Sequence, residues 1–186
     1  GFNTVNELER FSALDIATVV QQQKQLTLLQ EQTLQSPIDV WLKVDTGMHR
    51  LGVSAEQTDE YFGRLRQSAN VSKVYVMSHF ANADEAGNSL NNNQIKESIN
   101  VTNDIDVDCS MANSAAIMHH PASHFEVVRP GIMLYGSSPF ADVSASELGL
   151  QAAMQFESEL LDIKTLHAGE AIGYGGTFVA EYDMSI

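Results

Sequence analysis

Four short segments of this chain carry side chains that could do chemistry, and each follows a short apolar run. They are residues 43–50 (KVDTGMHR), 78–84 (SHFANAD), 111–115 (MANSA) and 129–132 (RPGI). Together they supply cations, an imidazole, a hydroxyl and a glycine turn. In a (β/α) barrel, the ends of several strands place such groups around one site. This set suits a phosphorylated, electron-rich ligand better than a metal or a nucleic acid.

The first segment places two cations close together. Lys43 and Arg50 flank Gly47, which can reverse the chain so that both side chains enter one pocket. Two uncompensated cations are costly in a site of low dielectric constant. The pair therefore predicts either an anion between the cations or chemical alteration of Lys43. The alternative is a pair of solvated surface charges.

The third and fourth segments predict a phosphate site. Ser114 follows Asn113 at the start of a short helical turn, where its hydroxyl and backbone N–H can bind an anion. The alternative is a simple helix cap. Gly131, after Arg129 and Pro130, offers backbone N–H groups to a closely approaching ligand. TIM barrels often bind phosphate at their last two strands, where both residues fall in our count of strands.

The histidines and the loop carboxylate of the second segment leave alternatives open. His79, at a strand end, is either a hydrogen-bonded core residue or part of the site. Asp84 is either functional or an ordinary loop carboxylate. We expect His119, His120 and His124 to lie at the surface. Neither a metal-ligand spacing nor a glycine-rich dinucleotide loop is present in the sequence.

The elements that must position these groups alternate between strand and helix about every 30 residues. Apolar runs predict strands, the last of them close to Pro130, and polar amphipathic stretches predict the helices that cover them. The strands are expected at 14–20, 38–44, 73–77, 107–111 and 127–135, and the main helices at 21–35, 55–68 and 88–103. This rhythm predicts an α/β fold, a partial (β/α)8 TIM-type barrel. A closed barrel needs about eight strands, so we expect the N-terminal part of the barrel to be missing from these residues.

The pattern changes after Pro139, which predicts a second domain. We assign residues 1–140 to the C-terminal part of the barrel, 141–150 to a small, acidic linker and 151–186 to the start of a β-rich C-terminal domain that is truncated. Apolar and polar residues alternate over 154–164, which predicts an antiparallel strand. Gly169 and Glu170 predict a turn, and the glycines at 173–176 interrupt a further strand-like stretch.

Composition excludes several classes of function. The 186 residues carry a formal net charge of −14, which disfavours nucleic acid and anionic membrane surfaces as partners. The single cysteine, Cys109, lies in an apolar run, so we expect a buried thiol and a reducing compartment, the cytoplasm. The sequence contains neither a membrane-spanning run nor a signal-like start.

The segments 43–53, 78–85, 111–116, 128–138 and 171–178 together resemble bacterial alanine racemases, in order and with natural spacings. The resemblance implies a pyridoxal 5'-phosphate barrel with a C-terminal β-domain, working as a head-to-tail homodimer. The implied reaction interconverts L- and D-alanine and supplies D-alanine for peptidoglycan.

The resemblance also implies a role for each candidate residue. Arg50 would bind the substrate carboxylate and the phenolic oxygen of the cofactor, and Lys43, carbamylated, would hold Arg50. Arg129 would face the pyridine nitrogen with His79 as its hydrogen-bonding support. The remaining candidates are the cofactor contacts Asn113, Ser114, Gly131 and Ile132, and Asp84 at the substrate entrance.

In that family a Schiff-base lysine and a catalytic tyrosine move the protons, and the segments that carry them match no part of these residues. We therefore expect this chain alone to be inactive. The alternatives are a related pyridoxal-phosphate barrel, either an amino-acid decarboxylase or a non-catalytic cofactor-binding barrel, and a phosphate-binding barrel enzyme without the cofactor. Arg129 discriminates, because decarboxylases of this fold place an acid opposite the ring nitrogen.

Overall fold

A four-stranded parallel sheet forms the centre of the first part of the chain. The computed structural model describes residues 1–186 and divides into two compact units, Gly1–Ala153 and Met154–Ile186. In the first unit, the strands lie side by side in chain order: β1 (Thr18–Val20), β2 (Ile38–Lys43), β3 (Val71–Met77) and β4 (Cys109–Ser110). All neighbouring strands pair in parallel.

Helices connect the strands and cover one face of the sheet. They are α1 (Val5–Ala13), α2 (Gln23–Glu31), α3 (Thr58–Arg66), α4 (Ser89–Asn100) and α5 (Ser114–His119). Val40 and Leu42 of β2 are buried in one apolar cluster with Leu26 of α2 and Leu65 of α3. A parallel sheet in chain order with crossover helices is part of a (β/α) barrel, which confirms the predicted fold class.

The opposite face of the sheet is more polar because alternate residues of a strand point to opposite faces. Trp41 stacks on Tyr75 with ring centroids 4.6 Å apart, and the Tyr75 hydroxyl donates to Asp39 at 3.1 Å. Lys43 lies two residues after Trp41, so at the carboxyl end of β2 it is on the same, more polar face of the sheet as Trp41. The Cys109 thiol is buried, as predicted.

Several element boundaries differ from the sequence predictions. Thr4 caps α1 through a reciprocal pair with Glu7. Residues 14–17 are not strand, because Leu14 ends α1 and Asp15 has a φ of 52°. α2 ends at Glu31, well before Pro37.

The strand predicted at 127–135 is absent except for one parallel bridge between Ser110 and Val127. A 3-10 helix forms instead at Ile132–Tyr135, preceded by Gly131 with φ −117° and ψ −100°. Pro130 has no N–H to donate to a sheet, so pairing stops before it.

The second unit consists of two small antiparallel ladders. β5 (Thr165–Leu166) pairs with β8 (Met184–Ser185), and β6 (Ala171–Ile172) pairs with β7 (Phe178–Val179). The predicted turn is present, since the Glu170 N–H donates to the His167 carbonyl at 3.0 Å.

The prediction of a strand at 154–164 is wrong, because these residues form neither helix nor strand and their apolar side chains are exposed. Residues 141–150 lie in the first unit, where Val143 and Leu148 pack against the cluster that contains Phe140. In neither unit is any helix long and apolar enough to cross a membrane.

Candidate functional site

Arg129 is the centre of the site because acceptors from the ends of β3 and β4 hold its guanidinium. Nη1 donates to the Ser110 hydroxyl at 2.6 Å, and Nη2 donates to the Ser78 carbonyl and contacts Nδ1 of His79 at 3.2 Å. The Arg129 backbone N–H binds the Ala112 carbonyl at 2.9 Å, which ties this segment to the end of β4. All of these acceptors are uncharged, so the guanidinium keeps its positive charge uncompensated.

His79 is a neutral imidazole in this arrangement. Burial, followed by the nearby charges of Arg129, Lys43 and Arg50, lowers the pKa of His79 to about 4. Because a guanidinium can only donate, the Nδ1 of His79 accepts from Arg129 and its proton lies on Nε2. The histidine is therefore an acceptor for Arg129 near neutral pH.

Lys43 lies at the carboxyl end of β2 with only 9% of its surface exposed. Burial, followed by the charges of Arg129 and Arg50, lowers the pKa of the Lys43 ammonium, and Asp45 opposes this shift. We call Lys43, Arg50 and Arg129 the cation cluster. The sequence predicted that Lys43 and Arg50 are neighbours, and the charge of Arg50 does act on Lys43.

The loop that carries Arg50 is closed by the backbone and organised by Asp45. Val44 and Val53 form a parallel bridge at its base. Asp45 Oδ1 accepts from the N–H groups of residues 47, 48 and 49 at 3.0, 3.1 and 3.0 Å. Gly47, with φ 131°, reverses the chain as expected, and Arg50 is exposed beyond the turn. Asp45 forms no ion pair with the cation cluster, and its charge offsets only part of the effect of Arg129 and Arg50 on Lys43.

The predicted phosphate segment is brought together, but with a different pattern of donors. Asn113 caps α5 through a bond from the Ala116 N–H at 3.0 Å. The buried Ser114 hydroxyl accepts from the Gly131 N–H at 2.8 Å and from the Met133 N–H at 3.3 Å. The Gly131 N–H is therefore occupied, contrary to expectation. The Ser114 hydroxyl hydrogen has no acceptor within the chain and remains able to donate to a ligand, beside the exposed Ile132.

Asp84 lies on a loop, with its side chain exposed. No hydrogen bond or ion pair joins it to the cation cluster. Asn91 of α4 holds this loop by donating to the Asn82 and Glu85 carbonyls at 3.0 and 2.9 Å. His120 also supports it, with Nε2 3.2 Å from the Ala83 carbonyl, so His120 is partly buried rather than a surface group as expected.

Sequence reasoning named His79 but missed the other two groups that hold the Arg129 guanidinium, the Ser78 carbonyl and the Ser110 hydroxyl. Ser78 and Ser110 are each the first or last polar residue at a strand end, and both are buried. The Ser78 hydroxyl also lies 2.6 Å from the hydroxyl of the buried Thr46. A small hydroxyl residue where an apolar run ends is a signal for Ser110. Ser78 binds Arg129 through its backbone carbonyl, which its residue type does not indicate.

Taken together, the geometry fits an anionic ligand with a polar ring. The cation cluster has no bound acid, His79 is neutral, and a buried hydroxyl has a hydrogen free to donate. An anion near Lys43 and Arg50 would relieve their repulsion. A ring atom with a lone pair suits Arg129, since the guanidinium can only donate.

Comparison with known proteins gives a consistent set of relatives. The family model for the N-terminal domain of alanine racemase matches residues 1–139. The alanine racemases of Vibrio parahaemolyticus and Vibrio cholerae are 41% and 42% identical over all of this chain, which covers 52% of each of them. The chain thus spans about half the length of the curated relatives that it matches.

Solved structures agree with the sequence relatives. The biosynthetic alanine racemase of Pseudomonas aeruginosa aligns with 98% of this chain and 51% of its own, at 38% identity and a TM-score of 0.82. The alanine racemase from E. faecalis aligns with 100% of this chain and 52% of its own, at 28% identity and a TM-score of 0.84. The alanine racemase of Bartonella henselae, described with covalently bound pyridoxal phosphate, aligns with 100% of this chain and 51% of its own, at 26% identity and a TM-score of 0.73.

Proposed function

We propose that the whole protein is a pyridoxal-phosphate-dependent alanine racemase, proceeding from the fact that this chain belongs to the alanine racemase family. The reaction interconverts L- and D-alanine and supplies D-alanine for peptidoglycan in the cytoplasm. The working form is a homodimer. These 186 residues hold the cofactor-binding half of the site.

The observation that carries the proposal is the environment of Arg129. A decarboxylase of this fold needs an acid opposite the ring nitrogen, whereas here a partly buried arginine is held by neutral acceptors. Pyridoxal phosphate, when bound, withdraws electrons from the substrate Cα and makes its proton acidic. Arg129 would donate a hydrogen bond to the ring nitrogen. Because a guanidinium has no acceptor, a protonated nitrogen would find no partner there, and the nitrogen would therefore stay unprotonated. This limits electron withdrawal and disfavours side reactions such as transamination.

The other candidate residues bind the cofactor or the substrate. The Ser114 hydroxyl donates to the phosphate group, with Asn113, Gly131 and Ile132 around it. Arg50 binds the substrate carboxylate as a charge-assisted pair. Asp84 belongs to the substrate entrance.

Lys43 carries a carbamate in this proposal. The lowered pKa of Lys43 favours the neutral amine, which can attack carbon dioxide. An N–C bond forms and the nitrogen loses a proton, so a cation becomes an anion. That charge would face Arg50 and Arg129 and hold Arg50 in place.

The test is racemisation by the full-length protein. D-alanine formed from L-alanine is measured by chiral separation, with pyridoxal phosphate removed and then restored. We expect activity only with the cofactor, and a loss of about 100-fold in kcat for Arg129→Glu with the cofactor still bound. Arg10→Glu, on the exposed side of α1, is the matched control and should keep full activity. Release of carbon dioxide from an amino acid without racemisation would support the decarboxylase instead.

A further inference from the structure

Gln94 of α4 is fully buried, with none of its surface exposed, and its side-chain amide binds the backbone on both sides of Phe80. Nε2 donates to the His79 carbonyl at 3.0 Å, and Oε1 accepts from the Ala81 N–H at 3.0 Å. A buried amide is costly unless both of its ends are bonded, as they are here. The two bonds fix the peptide groups that set the position of His79.

The same side chain also touches the loop of Arg50. A Cβ built on Gly47 would lie 3.3 Å from Cγ and 3.7 Å from Cδ of Gln94. The stem of Gln94 therefore packs against the turn between Lys43 and Arg50. One residue of α4 contacts two loops that are far apart in sequence, and each loop contributes to the site.

We propose that Gln94 is a positioning residue that holds His79, and through it the Arg129 guanidinium, in register with the Gly47 turn that carries Arg50. The catalytic part of this role rests on the proposed function, whereas the positioning itself does not. Gln94 acts through the backbone and makes no contact with substrate.

The neighbouring polar residue on the buried face of α4 acts on the same segment. Asn91, three residues before Gln94, binds the carbonyls of Asn82 and Glu85. Residues at this spacing share one face of a helix. The buried face of α4 therefore fixes the backbone from His79 to Glu85, and Gln94 is its contact nearest to Arg129.

The chain offers a matched control in Gln25 of α2. Gln25 is also buried, its Nε2 donates to the Phe2 carbonyl at 2.9 Å, and its Oε1 accepts from the Gln21 N–H at 2.9 Å. Gln25→Met and Gln94→Met each remove two bonds to the backbone at nearly constant volume. Gln25→Met frees the backbone at Phe2 and Gln21, whereas Gln94→Met frees the backbone at His79 and Ala81.

The experiment compares both variants in the full-length protein by three measurements: unfolding midpoint, kcat and KM for alanine, and the NMR titration of His79. The His79 signal is identified by its loss in His79→Asn. The charged groups that set this titration are Arg129, Lys43 and Arg50. We expect similar losses of stability in both variants. In Gln94→Met alone, the His79 signal should titrate about one pH unit higher, because water reaches the released imidazole, and kcat should fall about tenfold with little change in KM.

An unchanged His79 titration in Gln94→Met, or an equal shift in Gln25→Met, would overturn the proposal. If Gln94→Met does not fold, Gln94→Asn takes its place, because its shorter amide cannot span both backbone groups. A shift of His79 in a protein that lacks racemase activity would support the positioning role and refute the proposed function. Failure of the positioning role of Gln94 and failure of the proposed racemase function therefore give different results.

Discussion

At the scale of the residue, the neutrality of His79 controls how Arg129 is held. A protonated imidazole would donate from both nitrogens and could not accept from the guanidinium. The pKa of His79 is about 4 in the folded protein, against an ordinary value of 6.5. Between these values the unfolded chain binds more protons, so this histidine lowers the stability of the fold as the pH falls from 6.5 to about 4.

His79→Asn should remove that part of the pH dependence. The asparagine side-chain oxygen can replace Nδ1 as the acceptor for Arg129, and it does not titrate. Urea unfolding measured between pH 7 and pH 4 should show a flatter decline in the free energy of unfolding than in the unmodified protein. His119→Asn, at an exposed position, serves as the control. Parallel declines in the unmodified protein and in His79→Asn would contradict the depressed pKa.

A second prediction at this scale concerns Lys43. Lys43→Ala in the full-length enzyme should lose most racemase activity and recover part of it in acetate, because a small carboxylate can occupy the vacated space and pair with Arg50. Lys43→Arg should show no such recovery, since it restores only a cation. The measurement is the racemisation rate as a function of acetate concentration. Full activity of Lys43→Ala without acetate would refute the carbamate.

The sequence indicated the charged, titratable and hydroxyl side chains of the site but not all of the groups that hold them in place. Arg129, His79 and Ser114 were identified because each follows an apolar run with a charged, titratable or hydroxyl group. Ser78 and Ser110 were missed. They lie 51 and 19 residues from Arg129 in sequence, and only the parallel pairing of β3 with β4 brings them together.

At the scale of the element, the loop between Val44 and Val53 depends on Gly52. This residue has φ 132°, and a Cβ added to it would lie 2.7 Å from the Asp45 nitrogen and 2.9 Å from the Val44 carbonyl carbon. Gly52→Ala should therefore open the bridge and lower the free energy of unfolding by about 2 kcal/mol. Chemical denaturation provides the measurement.

Gly63→Ala is the matched comparison for Gly52→Ala. Gly63 lies inside α3, and nothing lies within 4 Å of an added Cβ. It should stabilise the protein by about 0.5–1 kcal/mol, because alanine loses less backbone entropy than glycine in a helix. Equal effects of the two substitutions would show that the loop tolerates a side chain at Gly52.

The predictions of elements succeeded where burial and periodicity agree. Residues 38–44 and 73–77 were expected as strands, and both runs are strands with buried residues facing the helices. The alternation over 154–164 did not produce a strand, because an alternating pattern gains stability only from a paired neighbour and a covered face. Phe156 and Leu161 have neither and are fully exposed.

At the scale of the whole molecule, we expect these 186 residues alone to form no D-alanine. Proton transfer at Cα needs positioned acid and base groups. Of the lysines of the chain, only Lys43 is buried, and the charges of Arg129 and Arg50 act on it. Incubation of the purified chain with L-alanine and pyridoxal phosphate, followed by chiral separation, should match a buffer blank. Activity above that blank would make Lys43 a candidate base.

The side-by-side order of β1 to β4 follows the order of synthesis. Each strand pairs with the one made just before it, across a single crossover helix, so loop closure remains inexpensive in entropy at every step. A nascent chain that leaves the ribosome N-terminus first can therefore extend the sheet one strand at a time. Its growing edge is always the newest strand, and that edge is where a chaperone or a neighbouring nascent chain would pair if translation paused.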